Sequence, residues 1–108
     1  MRKFSLDALA REQLDRARSN GGRSASTVYG GHEQALRQTL IAMTAGAATG
    51  EHASPGEATL QVLHGRVRLT AGQDVWDGRA GDLILIPPVA HSLEATEDAA
   101  VLLTVVKA

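Results

Sequence analysis

From Ser24 to the C-terminal end the chain is a succession of short apolar or alternating runs broken by turn residues. That texture limits the fold more than any other feature. The runs are Ser24–Tyr29, Ala35–Met43, Ala58–Leu63, Arg66–Thr70, Val75–Trp76, Leu83–Ile86, His91–Ala95 and Ala99–Val106. Between them fall Gly30-Gly31, Ala45-Gly46, Pro55-Gly56, Ala71-Gly72-Gln73-Asp74, Gly78 to Gly81, Pro87-Pro88 and Thr96-Glu97-Asp98. Seven or eight short strands at regular spacing, with no second helical period, predict an all-β sandwich or barrel. Two runs, Leu83–Ile86 and Val101–Val106, are largely apolar at consecutive positions. One face of each can line a barrel interior, and the other requires a cover.

The N-terminal segment is different. Leu6, Leu9, Ala10, Leu14 and Ala17 recur at three- and four-residue spacing, which predicts one amphipathic helix over residues 5–19. Ser5 is placed to cap it, Asp7 and the pair Arg16 and Arg18 complement its dipole, and Glu12 can pair with Arg16 one turn on. Asn20-Gly21-Gly22 ends the helix. The chain thus divides into residues 1–22, helix and linker, and residues 23–108, a β-barrel domain. The cover for the doubly apolar strands is this helix or a second subunit, so a homodimer is expected.

Composition removes several classes of function. At 108 residues the chain makes one domain, able to bury roughly 60–65% of its unfolded surface without staples. Phe4, Tyr29 and Trp76 are the only aromatic residues, too few for a base-stacking nucleic-acid surface. Net charge is −1 and no basic run exceeds two residues, so neither nucleic acid nor an anionic membrane is an expected partner. With no cysteine there is neither disulfide, thiolate metal site nor cysteine nucleophile. No apolar window approaches the ~18 residues of a membrane span, and Asp7 and Arg11 interrupt any leader-like core. A soluble cytoplasmic protein is expected. There is no Walker loop, no Gly-x-Ser-x-Gly elbow and no zinc-protease helix.

Two segments carry chemistry: Gly50-Glu51-His52-Ala53-Ser54-Pro55-Gly56-Glu57-Ala58 and Gly81-Asp82-Leu83-Ile84-Leu85-Ile86-Pro87-Pro88-Val89-Ala90-His91. Each sets a histidine beside a Pro/Gly corner at a strand edge. Together they resemble the two motifs of the cupin family. The resemblance covers about residues 36–106 and implies a mainly β fold, the cupin double-stranded β-helix or jelly-roll barrel, here with one N-terminal α-helix. In the first motif His52 and Gly65 stand at matching positions, while Ser54 replaces a second histidine and Ala58 a glutamate. The second matches at Gly81-Asp82, Pro87-Pro88 and His91, with one residue fewer before the histidine and Val89 where a glycine is customary. Whether His91 faces inward is left open by that shorter loop.

The substitutions decide the chemistry that the resemblance implies. A divalent transition metal such as Zn, Fe, Mn or Ni takes three or four side-chain donors. His52 and His91 offer two imidazoles, Ser54 is a poor ligand, and Ala58 is none. Glu57 could be recruited only if the preceding corner twists it off the face that strand alternation gives it. His64 shares the parity of Ala58 but lies about 20 Å farther along the strand, and His32 reads as a solvated turn residue. No cofactor is therefore expected, with a metal on His52, His91 and Glu57 as the alternative. Removing a histidine and a glutamate also leaves room for a small, partly apolar molecule. Leu60, Val62, Ile84 and Ile86 would line such a pocket. His52, Ser54 and His91 would orient a carboxylate or hydroxyl, or the two imidazoles would pass a proton.

Three functions remain open. The first is a metal-free binding barrel or one with a vestigial site. The second is a metal-dependent enzyme of dioxygenase or isomerase type, and the third a structural or sensory dimeric module. Trp76, Gly21-Gly22 and the Glu94, Glu97, Asp98 cluster read as a packing anchor, turn glycines and a solvated acidic turn.

Overall fold

A computed structural model describes residues 2–54 and 56–107. Among these the chain forms one helix, α1 (Leu6–Arg18), and eight strands: β1 (Arg23–Tyr29), β2 (Leu36–Met43), β3 (Glu57–His64), β4 (Arg66–Ala71), β5 (Asp74–Arg79), β6 (Leu83–Leu85), β7 (Ser92–Ala95) and β8 (Ala99–Val106). The strands make two antiparallel sheets, a five-stranded one in the order β1-β2-β8-β3-β6 and a three-stranded one in the order β5-β4-β7. Residues 46–52 extend the smaller sheet: Thr49 N–H donates to the Leu93 carbonyl, and His52 and His91 exchange both backbone hydrogen bonds. No helix among the described residues is long and apolar enough to cross a membrane.

Strand alternation sorts the large sheet into two faces. Met43, Leu60, Val62, Ile84, Ala99 and Val101 point between the sheets. There they meet Val67, Leu69, Leu93 and Ala95 of the smaller sheet in one aliphatic core. Leu40, Ala42 and Ala100 point outward, where Ala10, Leu14 and Ala17 of the helix cover them, flanked by Leu6, Leu9, Val28 and Leu63. The helix is capped by the Ser5 hydroxyl, which accepts from Ala8 N–H, and carries the Glu12–Arg16 pair. One polar residue interrupts its apolar stripe: Gln13 is buried, and its amide oxygen accepts from the Ser24 hydroxyl of β1.

The helix covers only part of the outer face. Leu83 and Leu85, on the edge strand β6, are 59% and 74% exposed.

Two local features of β5 differ from the sequence pattern. β5 runs through Gly78, where a break is predicted, because that glycine lies inside the barrel: a Cβ there would sit 2.9 Å from Ile84 Cδ1 and 3.1 Å from Val62 Cγ2. A strand glycine of this kind marks close approach of two elements. Trp76 lies on the same strand and is 41% exposed, since β5 is an edge and has no neighbour on its far side. Gly65, between β3 and β4, is forced for a different reason. Its φ is +75°, and a Cβ would fall 1.9 Å from the Asp98 carbonyl oxygen.

Candidate site at the open end of the barrel

Register fixes the four strands' inward positions into rows. Near the Gly65 turn Met43 with Ala99, and Val101 with Val62, are fully buried, and Ile41 beside Val101 is partly buried. The row at the opposite end consists of Arg37, Val105, Ala58 and Ile86, every member only half-buried. Ile86 joins it because its N–H donates to the Ala58 carbonyl, 3.1 Å away. The connections 44–54 and 86–91 both cross between the sheets, and they bring the two histidines to this end. Here the inward row is less completely covered than at the Gly65 end.

His91 settles the question left by the shortened loop. It has the parity of Leu93 and Ala95 and is 3% exposed, so it faces inward. Val89, the residue that replaces the customary glycine, supplies the reason for its orientation: its carbonyl oxygen lies 2.9 Å from His91 Nδ1. A carbonyl can only accept, so the neutral ring carries its proton on Nδ1 and leaves the Nε2 lone pair free. His52 is more exposed, with Nδ1 3.3 Å from the Ala53 carbonyl, and the same argument frees its Nε2. The rings stand edge to face, their centroids 4.6 Å apart and their planes at 71°.

The remaining candidates separate. Ser54 hydrogen-bonds the backbone of Gly56, 3.3 Å to its carbonyl and 3.4 Å to its N–H, and so closes a corner of the loop. Glu57 is exposed at the start of β3, opposite Val106. There it shares the outer face with Thr59 while Ala58 takes the inner one. The structure does not bring it to the histidines. Leu60 and Val62 lie deeper along the same strand, fully buried in the core beneath the Ala58 row. His64 is at the far end, in a cleft of about 440 Å³ beneath the helix with Asp7, Arg11, Asp15 and Arg18. The His32 carbonyl accepts from Lys107 Nζ.

The donor set does not fit a tightly held metal. Among the described residues no three His, Cys, Asp or Glu side chains converge, and two imidazoles fall short of the three or four donors such an ion takes. The Nδ1–carbonyl bonds that would orient metal ligands also orient hydrogen-bond acceptors, and acceptors are what the site presents. Arg37 is the inward residue that motif reading passes over. The signal was present in the alternation Arg37-x-Thr39-x-Ile41-x-Met43, whose apolar end fixes the face of its basic end.

Comparison with known proteins agrees with this architecture. The family model for the cupin domain, Cupin_2, matches residues 39–107, and the chain belongs to the cupin family. It is 30% identical to a conserved protein of unknown function from Streptococcus pyogenes, with a TM-score of 0.73 over 82% of this chain and 77% of that one. A cupin superfamily protein from Desulfitobacterium hafniense shares 14% identity at a TM-score of 0.72, covering 80% and 78%. Salicylate 1,2-dioxygenase from Pseudoaminobacter salicylatoxidans shares 20% identity at a TM-score of 0.76, covering 94% of this chain and 34% of the dioxygenase chain. Identities of this order for the last two carry the fold alone. No curated protein matches the chain.

Proposed function

We propose that this chain is a small-molecule-binding cupin barrel that works without a tightly held metal, its ligand entering at the open end beside His52 and His91. The observation that carries the reading is the histidine pair itself. Two imidazoles, each tied through Nδ1 to a backbone carbonyl, present Nε2 acceptors at a mouth whose neighbouring inward position is the methyl of Ala58. Such acceptors bind a hydroxyl or other donor, and can take and return its proton.

The test is elemental analysis by plasma mass spectrometry on untagged protein purified without chelator, beside His52→Ala and followed by thermal-shift screening. Background metal in both samples and a chelator-independent rise in Tm with a small molecule support the reading. Ligand at a hundredfold over its Kd stabilises by about 2.7 kcal/mol. Near-stoichiometric transition metal that disappears in His52→Ala overturns it in favour of the second reading, a metal-dependent enzyme of dioxygenase or isomerase type. The favouring observation for that reading is that both rings have the Nδ1-anchored orientation a metal ligand requires. In either case a homodimer would bury Leu83 and Leu85, and Leu85→Lys would then shift the mass seen by light scattering to that of a monomer.

A further inference from the structure

We infer that Arg37 is the anion-binding end of this pocket, and that the ligand is a small organic acid carrying a hydroxyl. The inference rests on the binding reading above and deepens it.

Arg37 lies in the unbroken register between β2 and β8, opposite Val105, which in turn lies opposite Ala58 on β3. It therefore shares the inward face with Thr39, Ile41 and Met43, in the half-buried row at the mouth. Its Nε is buried and has no hydrogen-bond partner, the one side-chain atom in that state among the described residues. None of the ion pairs among them involves it; Arg18, Arg66 and Arg68, on the surface, each meet a carboxylate. Its row neighbours Val105, Ala58 and Ile86 have no side-chain acceptor to offer. Gly30 makes the room: a Cβ there would meet the Leu36 carbonyl oxygen and come within 3.1 Å of Arg37 Cγ.

A guanidinium with a buried, unsatisfied N–H is costly unless an acceptor arrives, and a carboxylate is the acceptor whose planar fork matches it. Ala58, two strands away in the same row, lies about 10 Å off at ordinary strand spacing. The mouth thus presents one strong cationic donor, an apolar strip of Val105, Ala58 and Ile86, and two imidazole acceptors contributed from the smaller sheet. A carboxylate at Arg37, a short apolar middle and a hydroxyl donating to Nε2 of His52 or His91 satisfy all three parts.

The experiment is calorimetric titration of the full chain with lactate, 3-hydroxybutyrate and salicylate, each beside its neutral amide, with sodium sulfate as the inorganic oxyanion. Arg37→Gln, Arg37→Lys and Arg37→Met are compared with the unmodified protein. At least one hydroxy acid should bind at least about tenfold more tightly than its amide, and Arg37→Gln should abolish that preference while Arg37→Lys keeps part of it. Without ligand, Arg37→Met should leave Tm unchanged or raise it, because it removes an unsatisfied group.

Binding of acid and amide alike, unaffected by Arg37→Gln, overturns the assignment of Arg37 and leaves the binding reading standing. Sulfate binding as tightly as the acids overturns the organic-acid ligand. A fall of several degrees in the Tm of ligand-free Arg37→Met overturns the inference, since the guanidinium would already be partnered. No binding by any acid also overturns it, and the metal analysis then decides separately whether the binding reading falls too.

Discussion

The two ends of the barrel interior are built from the same strands and by the same alternation, yet they are opposites. At the closed end, by the Gly65 turn, Met43, Val62, Val67, Ala95, Ala99 and Val101 are buried to within 1% of fully. The connections there are tight as well. Asp98, at the turn into β8, accepts from Ala45 N–H and from Arg18 of the helix, which ties three segments together. At the open end the inward row is half-buried, its side chains are mixed, and one of them is charged. Core packing is spread along the strands, but its completeness is not. The lesson is that a barrel this small is held by one end, which frees the other to carry groups that packing alone would never select.

The comparison can be broken most severely at Gly65. Gly65→Ala combines a positive φ with a 1.9 Å approach to the Asp98 carbonyl, and should destabilise by about 4 kcal/mol in urea unfolding. A loss under about 1 kcal/mol would mean that the closed end yields easily. Next comes a paired truncation. Leu69→Ala, at 1% exposure in the core, should cost about 3 kcal/mol because it leaves a cavity. Ile86→Ala at the mouth should cost only about 1 kcal/mol, since water can fill the space. Equal costs would erase the distinction between the ends.

Ala58→Glu sharpens the comparison from the other side. It adds a carboxylate to the half-buried row on the inward face, giving the two imidazoles a third donor, and zinc affinity by calorimetry should rise at least about tenfold. No gain would show that the histidines are not oriented toward that row.

The smallest effect is at the Asp98 latch. Its carboxyl is held below the ordinary carboxylate range, first by the Ala45 N–H and then by Arg18. A depressed folded-state value means that the stabilisation is complete above the unfolded carboxylate range and is lost as pH falls through the folded value. Asp98→Asn should cost about 0.5–1 kcal/mol at neutral pH, an amount limited by exposure, and should flatten the acid limb of stability against pH. An unchanged acid limb would remove Asp98 from the account.

Much of the fold is legible in the sequence alone. The helix over 5–19 is seen at Leu6–Arg18, because the apolar spacing, the Ser5 cap and the terminal glycines all act within a few residues. The strands were legible where alternation met turn chemistry, as at Ala71-Gly72-Gln73-Asp74, and Gly65 stood out through its place in the motif. Gly78 departs from the pattern: its residue type predicts a turn, yet it serves as a point of contact inside a strand. Among the site residues, the motifs singled out His52 and His91 but could not orient either ring. That orientation comes from the Val89 and Ala53 carbonyls.

The sequence by itself determined the elements, the family resemblance and the substitution of Ser54 and Ala58 at two ligand positions, since these depend on residue type and local spacing. Only the tertiary structure decided which inward residues share a row. It joined Arg37 to Ala58, residues 21 apart in the chain, through a third strand lying between them. A side chain's face follows from its own strand, but its neighbours follow from register, and register is set by core burial between distant strands.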